Sequence, residues 1–198
     1  MSIKLRLLTL IGVFLAIIIV NAILVNIWVG KAVSGKKAIH VAGSQSMLSQ
    51  QATKEALLAA QQVGQRGELE KTKRLFESNA KALINGNDAM GLVKPHNSQV
   101  LSQLAKVDRE WSEFDRIATL VLDDASPANI QNLARSSTSL VKSTNQAVSL
   151  IEQTEVEAIS NLRFIVIGFM LFSIVAAFIG FWFLKVYVIS RIERSEER

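Results

Sequence analysis

Cysteine is absent from the 198 residues. Neither a disulfide framework nor a thiolate metal site can therefore form. Proline occurs twice and glycine ten times, which favours long helices over a turn-rich β fold. The two histidines, His40 and His96, fall in different segments. No HExxH, CxxC or paired-histidine spacing exists, so no protein-built transition-metal site is expected. Walker A, GxGxxG and GxSxG patterns are also missing. The sequence thus offers no catalytic residue and no cofactor site, and it is not read as an enzyme. The net charge is only +5. Residues 30–163 carry 16 Lys and Arg against 14 Asp and Glu, and the two ends carry 6 against 3. The basic excess lies partly at the ends, and no nucleic-acid footprint is visible.

Long uncharged runs are present, by contrast. Leu7 to Val29, "LLTLIGVFLAIIIVNAILVNIWV", has 23 residues, with Asn21 and Asn26 as its strongly polar members. A bilayer crossing needs about 20 residues of helix. The second run, Phe164 to Leu184, is bounded by Arg163 and Lys185. Trp28, Trp182 and Tyr187 stand where interfacial aromatics are expected. A cleaved signal peptide is the alternative for the first run. Its apolar core is long for that, and "AVS" at 32–34 makes a poor cleavage site, so a retained anchor is expected. The expected plan is a cytoplasmic N-terminus (1–6), a first span (7–29), an extracytoplasmic domain (30–163), a second span (164–187) and a cytoplasmic tail (188–198). Six flanking Lys and Arg on the terminal sides stand against four on the domain side. This places both termini in the cytoplasm and the domain in the periplasm of a bacterial inner membrane.

The middle reads as four helices, making the chain all-α: an antiparallel four-helix bundle anchored between two transmembrane helices. Helix one runs from about Lys31 to Gln65, ending near "GQRG", and helix two from Glu68 to Ile84, with "NGN" as its stop. Asn97 or Ser98 caps helix three, which runs to about Leu122. Ser126 and Pro127 start helix four, which continues into the second span. Spacings of three and four link Val100, Leu104, Val107, Trp111, Phe114, Ala118 and Val121. They also link Leu133, Ser137, Leu140, Thr144, Ala147, Ile151, Thr154 and Ala158 on helix four, and Leu69, Thr72, Phe76, Ala80 and Leu83 on helix two. One stripe per helix suits near-parallel packing. Trp111 and Phe114 are expected in the core. The Ser, Thr and Ala stripe of helix four buries less apolar area and should form a looser seam. Asp108, Glu110, Glu113 and Asp115 alternate with Lys106, Arg109 and Arg116 and read as a solvated face.

Helix one contains "AGSQSMLSQQ", Ala42 to Gln51. Gly43, Ser46, Gln50 and Thr53 lie along one side. Small residues let a second helix approach, and polar ones are costly in a sealed core without partners. The strip suits a contact holding water or a small polar ligand, with the same strip of a second subunit as the natural partner. The plain alternative is a solvated face with an incidental glycine. Candidate ligand-binding residues are Gly43, Gln45, Ser46, Met47, Gln50 and Gln51.

"AGSQSMLSQQATKEALLA" resembles the first-helix motif of PilJ-type domains (type IV pili methyl-accepting chemotaxis transducer N-terminal), also found in nitrate/nitrite sensor histidine kinases. That motif is roughly A-G-x-x-R-M-x-S-x-R, matched by Ala42, Gly43, Met47 and Ser49. "FESNAKALINGN", "LAKVDREWSEFD" and "STNQAVSLIEQ" resemble later parts of the domain, in order. The resemblance covers about residues 30–163. It implies a sensory receptor, and that in nitrate sensors the first arginine of the motif, one from each subunit, grips the anion. Here that position is Ser46, and the second arginine position is Gln51. Without these cations an anion loses its charge-assisted donors, so tight nitrate binding is not expected. Lys36, Lys37 and His40 lie one to three turns along and read as flanking, solvated residues.

Together these features describe a transmembrane sensory module of chemoreceptor or sensor-kinase type. It would be a homodimer through helix one that detects a small polar ligand or a partner and passes a helix shift of about 1–2 Å through the membrane lipid to a cytoplasmic signalling partner. "KVYVISRIERSEER" resembles the first turns of a cytoplasmic linker helix, without the proline that a HAMP linker normally shows. No kinase, cyclase or methyl-accepting segment lies in these residues. The alternative is a membrane-tethered adaptor bundle acting only through protein contacts.

Overall fold

The computed structural model describes residues 3–184. The expected tail, 188–198, and Tyr187 lie outside the described residues. Four α-helices dominate: α1 (Ile3–Ala60), α2 (Arg66–Asn85), α3 (Ser98–Asp123) and α4 (Pro127–Leu184). A short 3-10 turn, Asp88–Met90, lies between α2 and α3. Among the described residues the nearest thing to a sheet is one isolated bridge between Asn87 and Leu92. The described residues fall into two compact units, and α1 and α4 each contribute residues to both.

Residues 32–157 form the four-helix bundle. Its core is the set of stripes expected from the three-four spacing. Val100, Leu104, Val107, Trp111, Phe114, Ala118 and Val121 are all buried on α3, and Leu69, Thr72, Phe76, Ala80 and Leu83 on α2. On α4 the stripe runs through buried Leu133, Ser137, Leu140, Thr144, Ala147 and Ile151, with Thr154 half-buried. One-sided burial forces this periodicity, because each helix meets its neighbours along a single narrow band. α1 completes the core with Ala42, Leu48, Ala52 and Ala56. Small side chains there let α1 sit close to the others.

Antiparallel register shows in the cross-helix contacts. Gln45 Nε2 donates to the Phe76 carbonyl at 3.0 Å, and Asn79 Nδ2 to Ser44 Oγ at 3.3 Å, joining α1 and α2. Gln103 Nε2 donates to the Ser143 carbonyl at 2.9 Å between α3 and α4. Asn97 caps α3, its Oδ1 accepting from the Gln99 and Val100 amides, and its Nδ2 donates to Thr154 Oγ1 at 3.3 Å. Ser126 stands just before α4, its carbonyl accepting from the Ile130 amide at 3.0 Å.

The end of α1 differs from expectation. The helix stops at Ala60, five residues before Gln65. Gln62 takes φ +60, and the amides of Gln62 and Val63 turn back to the carbonyls of Ala59 and Leu58 at 3.1 and 3.0 Å. This double bond pattern is a Schellman close with glutamine in the left-handed position usually held by glycine. Gly64 serves another purpose. A Cβ there would lie 2.8 Å from Leu58 Cβ, so the residue allows the chain to fold tightly over the helix end. Gln62→Gly should therefore stabilise the bundle by about 1 kcal/mol, the usual cost of a non-glycine left-handed residue. Thermal melts would read it as a small upward shift; a fall would contradict the strain at Gln62.

The second unit contains the apolar stretches of α1 and α4, which are long and apolar enough to cross a membrane. Their large side chains face outward, as Phe164 and Phe178 do at 71% exposure. Asn21 Nδ2 donates to Ser173 Oγ at 2.9 Å, linking the two stretches. In lipid such a bond contributes about 0.6 kcal/mol. Asn26 instead lies on the exposed surface.

Candidate functional site

The outward face of α1 is set by the same three-four alternation that builds the core. Val33, Lys36, His40, Gly43, Met47, Gln50 and Lys54 are exposed in a continuous row. Met47 is 61% exposed, high for a large apolar side chain on a bundle surface. Gly43 has open space where a Cβ would stand, so nothing in the protomer requires glycine there.

Of the expected site residues, Gly43, Met47, Gln50 and Gln51 share this face, with half-buried Ser46 at its edge. Gln45 does not join them. Two residues from Gly43 is about 200° around a helix, and Gln45 is only 2% exposed, turned into the core. Thr53 also turns inward, its hydroxyl within 2.7 Å of Ser137 Oγ on α4 and bonded to the Ser49 carbonyl. Lys54 was missed in the sequence, although extending the spacing from Gly43 through Gln50 reaches it.

The face lacks a concentrated positive charge. Gln51 Nε2 is held by Glu55 Oε1 at 2.8 Å, so its amide donor is already directed at a carboxylate. Lys37 leans over Gly91 in the α2–α3 connection: its Nζ would lie 2.5 Å from a Cβ placed on that glycine. Lys36, His40 and Lys54 remain along the row, more than a turn apart. Such a face can meet another helix through Gly43 and Met47 and can hydrogen-bond a neutral or zwitterionic group through Gln50 and Ser46.

Other polar clusters are already engaged. Lys73 of α2, 12% exposed at its side chain, lies 2.5 Å from Asp115 of α3 and 3.0 Å from Glu70. Burial works to lower its pKa, but the carboxylates of Asp115 and Glu70 outweigh that, so it is raised above the ordinary lysine value. A raised lysine contributes stability that is fully present below about pH 10.4, the unfolded value, and is lost as pH rises through the folded pKa. Alkaline denaturation should show a loss in this window that Lys73→Met abolishes; an unchanged profile would contradict the assigned pairing. Arg116 holds Glu113 through bonds of 2.9 and 2.7 Å, and the Arg116 bond lowers the Glu113 pKa. Of the acidic cluster of α3, Glu110, Glu113 and Asp115 thus have cationic partners in Lys106, Arg116 and Lys73. An open groove of about 530 Å³ between α3 and α4 is lined by these side chains with Arg135, Asn132 and Ser139. Among the described residues no three His, Asp or Glu side chains gather to hold a metal ion.

Comparison with known proteins agrees with this architecture. The chain is 27% identical over 144 residues to the methyl-accepting chemotaxis protein McpN of Pseudomonas aeruginosa, covering 73% of this chain and 27% of that protein. It thus spans about a quarter of that relative's length. The solved ligand-binding domain of the P. aeruginosa nitrate receptor McpN superposes with a TM-score of 0.57 at 29% identity, covering 60% of this chain and 95% of that one. The pattern of the family described as "Type IV pili methyl-accepting chemotaxis transducer N-term" matches residues 29–137, more than half of the sequence. With the bundle, the Ala42–Gly43 motif and the flanking apolar stretches in place, the chain belongs to the PilJ family of chemotaxis-transducer N-terminal domains.

Proposed function

We propose that the chain is the input module of a transmembrane sensory receptor. The bundle stands on the periplasmic side of a bacterial inner membrane, both termini are cytoplasmic, and two copies meet through the outward face of α1. A small polar ligand held near Ser46, Met47 and Gln50 changes how the two α1 helices pack. Because α1 and α4 each contribute both to the bundle and to an apolar stretch, the change reaches a cytoplasmic partner as a helix displacement. The observation that carries this reading is the uninterrupted exposed row of α1, centred on Gly43 and Met47, in a chain of the PilJ family.

The ligand is expected to be neutral or zwitterionic. The relative is a nitrate receptor, but Ser46 and Gln51 stand here at the motif's two arginine positions. A thermal-shift screen with anions, amino acids and small organic acids tests the reading. A ligand-dependent rise supports a sensor, since ligand binding stabilises the folded state by mass action. A chain that responds to none of these and captures only protein partners contradicts it.

The interface makes its own prediction. Gly43→Ala fills open space and improves helix propensity by about 1 kcal/mol, so the protomer should melt higher. Gly43→Leu should leave the protomer folded yet shift the dimer toward monomer, because the bulky side chain blocks helix approach. Analytical ultracentrifugation in detergent reads both; an unchanged dimer in Gly43→Leu places the contact elsewhere.

A further inference from the structure

Gln45 presents a buried amide with one half satisfied. Its Nε2 donates to the Phe76 carbonyl at 3.0 Å, which fixes the orientation of the amide. Its Oε1 is then directed away, fully buried, and has no hydrogen-bond partner. A buried acceptor left in this state is costly, about 1–3 kcal/mol. Next to it is a partly open pocket with about 10 Å³ of room for a water-sized sphere, lined by Gln45, Thr144, Ala42, Ala80 and Ala147 among others. That room is close to what one water molecule needs.

The register of α1 against α4 places a second polar group at the right level. Thr53 meets Ser137, and Gly35 meets Glu155, so these helices run antiparallel. Eight residues back from Thr53 is Gln45, and seven residues on from Ser137 is Thr144. Thr144 is 1% exposed, and its hydroxyl donates to the Val141 carbonyl at 2.8 Å. Its oxygen is therefore available as an acceptor.

We infer that this pocket is a single-water site in which the water donates one proton to Gln45 Oε1 and the other to Thr144 Oγ1. The α1–α4 seam then has two polar rungs: a direct one, Thr53 to Ser137, and a hydrated one, Gln45 to Thr144. The alanines around the pocket leave room for the water that a larger residue would remove, and apolar Leu83 and Leu104 leave it no competing partner.

A crystal structure of the full chain in lipid should show one density peak about 2.7–3.1 Å from both oxygens. An empty pocket, or Gln45 Oε1 turned onto a protein donor, overturns the inference. A solution test runs alongside. Thr144→Val nearly preserves shape and should lower Tm by about 2–4 °C in the native background. In a Gln45→Leu background, where the water has lost its main acceptor, the same change should cost clearly less. Equal drops in both backgrounds would mean that no water couples the two residues.

Discussion

Trp111→Ala should destabilise the bundle by about 3–5 kcal/mol, seen as a fall in Tm of about 10–20 °C. The cause is the position of the indole in a stack of three rings. Phe76 of α2 lies face to face with it, centroids 3.8 Å apart at 12°, and Phe114 follows at 5.3 Å. Phe76 and Phe114 are fully buried and Trp111 nearly so. Truncation removes the middle ring and leaves a cavity between two helices that cannot collapse without moving α2 against α3. Trp111→Phe should behave differently. The Trp111 Nε1 is buried without a hydrogen-bond partner, so removing it offsets part of the lost apolar area. Its Tm should fall by less than about 5 °C. Circular-dichroism melts of both variants separate the outcomes; a mild Trp111→Ala would contradict the stack as the centre of the core.

Ser46→Arg should raise nitrate affinity by about 100-fold or more. Two copies of the bundle would bring two guanidinium groups to one interface, and charge-assisted hydrogen bonds contribute about 1.5–3 kcal/mol each. The native chain has no cation at Ser46, and Gln51 is turned to Glu55. Titration calorimetry should accordingly find no micromolar nitrate affinity in the native chain and a measurable one in Ser46→Arg. Micromolar binding by the native chain would contradict the ligand class assigned to this face. A silent Ser46→Arg would place the anion site of the relative elsewhere in this fold.

Much of the bundle is legible in the sequence because one physical demand, burial along one side, writes itself as a period. The stripes of α2, α3 and α4 hold even at Thr72, Ser137 and Thr144, polar residues that are buried as the spacing requires. Asn97 as a cap is legible for the same local reason: its side chain reaches its own helix. What could not be read depends on distant partners. Gln45 looks like part of a polar strip until the Phe76 carbonyl, 31 residues away, is seen to accept its amide. Nothing in the sequence singles out Lys73, because its partner Asp115 lies across the α2–α3 contact. The left-handed Gln62 is not legible because glutamine rarely takes that position, whereas the glycines of "GQRG" draw the expected end further along; Gly64 permits close packing over the helix end instead. The candidate face followed a similar course: its glycine and methionine were evident, but only the fold showed which polar neighbours share their side.

The chain has no native cysteine, so single cysteines introduced along α1 report without background. Cysteine at positions 33, 36, 40, 43, 47, 50 and 54, oxidised in native membranes, should give crosslinked dimers at these positions, with little at 45, 49, 52 and 56. A yield without that three-four rhythm, or crosslinks confined to α2 and α3, would contradict an α1 dimer as the sensing interface.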